Sequence, residues 1–143
     1  MLTLLIDWNR TLYDPEKKSL YQDTIPFLQK ARGICTVCII SAGEIPDAYE
    51  QKEKVRPYTK NFIVKNKTKK LFSEIVKNTP KNSIIVIGDS IAQEIKIANE
   101  LGFISIRILR GKYRDETPAT KNEMPRYVVR SLKEILNFLP LSF

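Results

Sequence analysis

Ile84-Ile85-Val86-Ile87-Gly88-Asp89-Ser90-Ile91-Ala92-Gln93-Glu94 is the stretch whose reading decides the fold. Its first four residues form a short, β-branched apolar run, the signature of a buried strand. Past Ser90 the period changes, and Ile91, Ile95, Ala98 and Leu101 line one face of a helix. Outward from this unit the pattern repeats. Leu2 to Ile6 is an apolar run ending at Asp7, Thr36 to Ile40 ends at Ser41, and Phe62 to Val64 and Ile104 to Leu109 read as further strands. Thr68 to Val76 puts Leu71, Phe72, Ile75 and Val76 on one helical face, a weaker helix lies near Thr24 to Ala31, and Pro46 is placed to start another. Ser131-Leu132-Lys133-Glu134 is a capping-box pattern opening a last helix with Leu132, Ile135, Leu136 and Leu139 inward. Gly111 to Pro125 is the one long loop. Near-continuous apolar strands alternating with helices imply a mainly parallel, Rossmann-like sheet of about five strands, covered on both faces in a three-layer α/β/α sandwich.

The 143 residues match one ordinary domain, 1–143, with a core large enough to need no metal or disulfide staple. No apolar run approaches a membrane span, and Met1 leads straight into a strand, which predicts a soluble, cytoplasmic protein with no membrane partner. Cys35 and Cys38 fall in one strand, where residues three apart point to opposite faces, so they read as core packing and not as a metal or redox pair. The absence of histidine excludes a histidine-based zinc site, a histidine-activated nucleophile and a histidine phosphoacceptor.

The formal charge of +8 is uneven. Lys52 to Lys81 holds ten Lys/Arg against Glu53 and Glu74, and Arg107 to Lys133 holds eight against Asp115, Glu116 and Glu123. Two readings stand side by side, a lysine-rich solvated surface or a face for nucleic acid or a phosphorylated substrate.

Parallel strands with aligned ends gather Asp7, Ser41 and Asp89 in one crevice outside the carboxyl edge of the sheet. Two carboxylates that close repel unless a hard cation separates them, and Mg²⁺ held by carboxylates and phosphate oxygens is the usual solution. A hydroxyl, a lysine and backbone amides would then neutralise a phosphoryl group.

These residues carry a resemblance to the haloacid dehalogenase (HAD) superfamily. Leu5-Ile6-Asp7-Trp8-Asn9-Arg10-Thr11-Leu12 resembles its first motif, Asp-x-Asp-x-Thr/Val-Leu after an apolar strand; Ile39-Ile40-Ser41 resembles the second. Gly88-Asp89-Ser90 followed by Glu94 resembles the fourth, and Lys67 stands where the third-motif lysine is expected, with Lys65 and Lys69 as rivals. Thr68, able to cap the following helix, favours Lys67. The resemblance implies a HAD-like fold and a Mg²⁺-dependent phosphatase. Asp7 would be the nucleophile, and Asp89 and the backbone carbonyl of Asn9 would complete the metal's ligands. Ser41 and Lys67, with Ala42 beside them, would hold the phosphoryl oxygens; Glu94 would orient Lys67, with Gly88 and Ser90 in support.

The main departure is Asn9, where the family's phosphatases carry a second aspartate that protonates the leaving group. An amide cannot supply that proton, so three readings follow. The chain is a hydrolase favouring good leaving groups, a degenerate member that binds metal and a phosphorylated or nucleic-acid partner without turnover, or an enzyme helped by Asp14 or Arg10. The spans of 34 positions from Asp7 to Ser41 and 26 from Ser41 to Lys67 leave no room for a cap domain. An uncapped site goes with macromolecular or bulky substrates, or with a lid lent by a second copy in a homo-oligomer. Trp8 either stacks on substrate or packs against a neighbouring helix. Ser90 and Thr11 are expected to cap, without a chemical role.

Overall fold

The computed structural model describes residues 1–43, 48–137 and 139. In chain order it runs β1 (Leu2–Asp7), β2 (Tyr13–Asp14), β3 (Ser19–Leu20), α1 (Thr24–Ala31), β4 (Cys35–Ser41), α2 (Tyr49–Val55), β5 (Asn61–Val64) and α3 (Lys69–Ile75). Then follow β6 (Ile84–Gly88), a π-helical turn (Ile91–Ile95) continuing into α4 (Lys96–Leu101), β7 (Ile104–Ile108), β8 (Tyr127–Val129) and α5 (Leu132–Leu136). The helix start expected at Pro46 lies outside the described residues.

The main sheet is parallel in every pairing, with order β5-β4-β1-β6-β7-β8, and β2 and β3 form a separate hairpin. Among the described residues it has six strands, close to the about five that the sequence pattern gives. The extra strand, β8, is three residues at the sheet edge with Val128 half exposed, too short to show a period.

Side-chain alternation along the strands builds two cores. Leu4 and Ile6 of β1, Val37 and Ile39 of β4, and Ile85 and Ile87 of β6 pack on one face with Phe27 and Leu28 of α1 and Leu132 and Ile135 of α5. Leu5, Ile40 and Val86 face the other way, onto Leu71 and Phe72 of α3 and Ile97 and Ala98 of α4. Cys35 lies in the first core and Cys38 in the second, both as free thiols, as period-two geometry requires.

Helix ends are fixed by local chemistry. Thr68 Oγ1 accepts from the Leu71 amide at 3.1 Å, and Ser131 Oγ accepts from the Glu134 amide at 3.3 Å. The Glu134 carboxylate reaches back to the Arg130 amide at 3.2 Å, one residue before the cap expected to receive it.

Register decides where the polar strand ends meet. Asp7 lies opposite Ile40, Ile6 opposite Ile87 and Ser41 opposite Val64, so β1, β4, β5 and β6 end at one edge.

Candidate active site

Asp7 leaves β1 at that edge and is buried. Behind it the chain doubles back: the amides of Leu12 and Tyr13 both donate to the Trp8 carbonyl at 3.0 Å, and the Arg10 amide donates to the Tyr13 carbonyl at 2.7 Å. This turn requires Arg10 to sit at φ 63°, in the left-handed region. It also brings Thr11 over the carboxylate, so that Thr11 Oγ1 donates to Asp7 Oδ2 at 3.1 Å. Thr11 is therefore a contact of the candidate nucleophile, which corrects the expectation that it only caps.

Lys67 resolves the choice among three lysines. Its side chain is 3% exposed and its Nζ pairs with both Asp7 Oδ1 and Glu94 Oε1. Lys65 is exposed, and Lys69 points outward to Glu100 at 3.5 Å. Burial alone would lower the Lys67 pKa, but Asp7 and Glu94 outweigh it and drive the value up, so the group stays an ammonium.

Glu94 reaches this position through the π-helical turn. The Ile95 amide donates to the Ser90 carbonyl at 3.4 Å, five residues back, and the widened turn folds Glu94 over Gly88. A Cβ on Gly88 would lie 2.6 Å from Glu94 Cγ, so only glycine leaves room there. Ser90 closes the arrangement: its amide donates to Glu94 Oε2 at 3.1 Å, and its Oγ accepts from the Gln93 amide at 3.3 Å.

Asp89 completes an acidic cluster, in which one oxygen each of Asp7, Asp89 and Glu94 lie within 4.8 Å of one another. Asp89 Oδ2 is buried without a hydrogen-bond partner among the described residues. Burial first, then Asp7, pushes the Asp89 pKa up to about 9, while Arg10 pulls it down. Glu94 is pushed up to about 8, by burial and then Asp7, against the pull of Lys67. Three buried carboxyls facing one ammonium, with one oxygen unpartnered, fit a hard divalent cation. Glu94 already spends both oxygens on Lys67 and Ser90, which leaves Asp7 and Asp89 as the candidate ligands.

These groups open into a cavity of about 130 Å³ whose lining includes Asp7, Asn9, Ala42, Lys67, Asp89 and Ser90. Asn9 presents a buried Oδ1 that has no hydrogen-bond partner among the described residues. Two expected members stand elsewhere. Ser41 is buried outside the lining, and its hydroxyl donates to the Gly43 carbonyl at 2.6 Å, so in this structure it is committed to its own loop. Trp8 is 1% exposed, stacked on Tyr13 at 5.2 Å and edge-on to Phe62 at 5.1 Å. The indole is core, because alternation along β1 turns it away from the face that Asp7 takes. Gln93 and Tyr113 join the lining without having been expected; Tyr113 comes from a loop whose path no sequence period describes.

A HAD-hydrolase-like family model matches residues 62–135, just over half of the chain, a segment that includes Lys67, Asp89 and Glu94 but not Asp7 or Asn9. Over 55 residues, 38% of its length, the chain is 38% identical to a glyceraldehyde 3-phosphate phosphatase of Methanocaldococcus jannaschii; that match spans 23% of the relative's length. A haloacid dehalogenase-like hydrolase from Streptococcus pneumoniae has the same fold, with a TM-score of 0.77 at 11% identity over 96% of this chain and 98% of that one. So does a D,D-heptose 1,7-bisphosphate phosphatase from Burkholderia thailandensis, at a TM-score of 0.72 and 16% identity over 97% and 99% of the two chains. With the family model matched over more than half its length, the chain belongs to the HAD-like hydrolase family.

Proposed function

We propose that the chain is a Mg²⁺-dependent phosphohydrolase that works through a phosphorylated Asp7 and favours substrates whose leaving group needs no proton. The observation that carries this reading is the setting of Asp7. Its carboxylate is buried, held by Thr11 on one oxygen and Lys67 on the other, at a cavity it shares with the unpartnered Asp89 oxygen.

An Asp7 oxygen attacks phosphorus, the bond from phosphorus to the leaving oxygen breaks, and that oxygen departs with the electron pair. Water then releases phosphate and restores the carboxylate. A Mg²⁺ on Asp7 and Asp89 would supply charge screening between the carboxylates and an anionic phosphoryl group. Lys67, kept charged by Asp7 and Glu94, offers its ammonium to the phosphoryl oxygens. Asn9 has no proton to give, so the general-acid contribution, typically ~10²–10⁴-fold, is missing. Glyceraldehyde 3-phosphate, the substrate in the relative's name, would release its glyceraldehyde as an alkoxide and is a poor candidate at this site. Acyl and aryl phosphates are better ones.

The amide at Asn9 also favours a second reading, a protein that binds metal and a phosphorylated partner without turnover. Phosphate release from acyl, aryl and alkyl phosphates with Mg²⁺, by wild type and Asp7→Asn, separates the two. Turnover abolished by Asp7→Asn supports the hydrolase. Silence in both, with Mg²⁺ and phosphate-analogue binding retained, supports the binding protein.

A further inference from the structure

Arg10 lines the cavity and has no part in the phosphohydrolase reading. A glycine would adopt φ 63° freely, whereas an L-residue with a long side chain is uncommon there. Two residues of one distant loop, Gly111 and Tyr113, pack against this side chain. Its guanidinium lies 5.1 Å from the Tyr113 ring, at the edge of the cavity both residues line. Gly111, at φ 73°, leaves space that any Cβ would take, since a Cβ there would stand 2.9 Å from Arg10 Cγ and Cδ. The turn carrying Tyr113 is fixed from beneath by Arg107, a buried residue of β7 whose Nη2 donates to the Tyr113 carbonyl at 2.9 Å. Arg10 Nε is itself buried without a hydrogen-bond partner among the described residues. A half-buried arginine that lines the cavity, with its guanidinium over the Tyr113 ring, can present the outer N–H groups of its fork to an anion.

Lys67 is tied to Asp7 and Glu94 on the phosphoryl side, so the cavity holds two cations with different surroundings. Next to Arg10 stands Asn9, the residue that cannot protonate a leaving group. An arginine cannot either, because it stays charged at all working pH values. What it does offer is a planar fork that matches a carboxylate.

Resting on the phosphohydrolase reading, we infer that Arg10, braced by Tyr113 and Gly111, is the specificity-determining residue for the leaving group, and that the substrate is an acyl phosphate. Phosphoryl transfer from an acyl phosphate to Asp7 exchanges one carboxylic-phosphoric anhydride for another. The Asp7 oxygen bonds to phosphorus, the bridging P–O bond breaks, and its electron pair leaves as a carboxylate that needs no proton and pairs with the guanidinium. Water then cleaves the Asp7 anhydride to the aspartate and dihydrogen phosphate, closing the balance without an acid. The missing donor at Asn9 and the arginine at position 10 thus become two parts of one device.

The test compares benzoyl phosphate with p-nitrophenyl phosphate in wild type, Arg10→Lys and Arg10→Gln, all with Mg²⁺. Loss of a charged, paired hydrogen bond lowers kcat/KM for benzoyl phosphate on the order of ten- to a hundred-fold in Arg10→Gln, with Arg10→Lys in between. The p-nitrophenyl ester, whose phenolate cannot use both arms of the fork, falls at least several-fold less. An equal fall for both substrates would make Arg10 a phosphoryl ligand or a packing residue, and no fall would leave it idle; either overturns the inference while the Asp7-dependent hydrolase stands. Binding decides the matter independently of turnover. With Mg²⁺, wild type binds benzoylmethylphosphonate, which keeps the acyl carbonyl, more tightly than 2-phenylethylphosphonate, which lacks it, and Arg10→Gln erases the preference. If neither substrate is turned over through Asp7, the hydrolase reading fails, and equal binding of the two phosphonates by wild type then overturns the role of Arg10 as well.

Discussion

Replacing Asn9 by aspartate puts back a proton donor at the site and yields a measurable signature in the leaving-group dependence. Asn9 lines the cavity with Asp7, and its buried Oδ1 has no hydrogen-bond partner among the described residues. The gain expected from a positioned general acid is ~10²–10⁴-fold, about 3–5 kcal/mol of barrier, and it applies to alkyl esters that leave as alkoxides. Acyl and aryl phosphates gain little. The substitution also adds a fourth carboxyl beside three whose oxygens lie within 4.8 Å. Two unit charges about 5 Å apart repel by roughly 3 kcal/mol for an effective dielectric of about 20, a magnitude that bears on the new group where it meets the Asp7 carboxylate. The new group will therefore hold its proton more tightly than an ordinary aspartate, as a general acid should, and the metal-free fold will lose stability that Mg²⁺ restores. The assay is kcat/KM for phosphate release across a series of esters, plotted against leaving-group pKa, for wild type and Asn9→Asp. A steep wild-type line and a shallower Asn9→Asp line, converging at the acyl and aryl end, are expected. Parallel lines would refute the reasoning, since the acid would then be missing for neither enzyme or both.

Three further outcomes follow from the geometry. Gly88→Ala places a methyl 2.6 Å from Glu94 Cγ, so Glu94 must leave Lys67; overpacking costs about 1–3 kcal/mol, and a variant with full stability and full activity in denaturation and phosphate-release assays would contradict the packing. Asp89 and Glu94, raised to about 9 and about 8 without metal, hold protons that an unfolded chain releases near pH 4 to 5. Their contribution is complete below that range and is lost as pH rises toward 8 to 9, so metal-free stability falls with pH and the Mg²⁺-induced rise in Tm grows across the same window. A Mg²⁺ effect that is constant between about pH 5.5 and 8.5 would count against Asp89 as a ligand. Trp8→Ala, by removing a buried indole, lowers stability by about 3–5 kcal/mol and leaves the ranking of substrates unchanged; a changed ranking at nearly intact stability would return Trp8 to the site.

The sequence by itself determined the sheet and its chemical edge. Apolar runs broken by Asp7, Ser41 and Asp89 state both that the strands are buried and where they end, because a charged residue cannot continue a buried run without a partner. The family resemblance implied a lysine held by Glu94 and favoured Lys67 over Lys65 and Lys69, and the structure pairs Lys67 with Glu94. Tertiary structure decided what a one-dimensional period cannot hold. The edge strand Tyr127–Val129 is too short to show alternation, and the π-helical turn that lays Glu94 over Gly88 depends on a single extra residue in one turn. Whether Trp8 faced core or cavity, whether Ser41 turned its hydroxyl to the site or to Gly43, and which carboxylate Thr11 reached are matters of side-chain direction, set by neighbours far along the chain. Arg10 shows the same limit most fully. Its place at the cavity comes from a left-handed turn after β1 meeting a loop a hundred residues later, and only their packing brings Arg10, Gly111 and Tyr113 together.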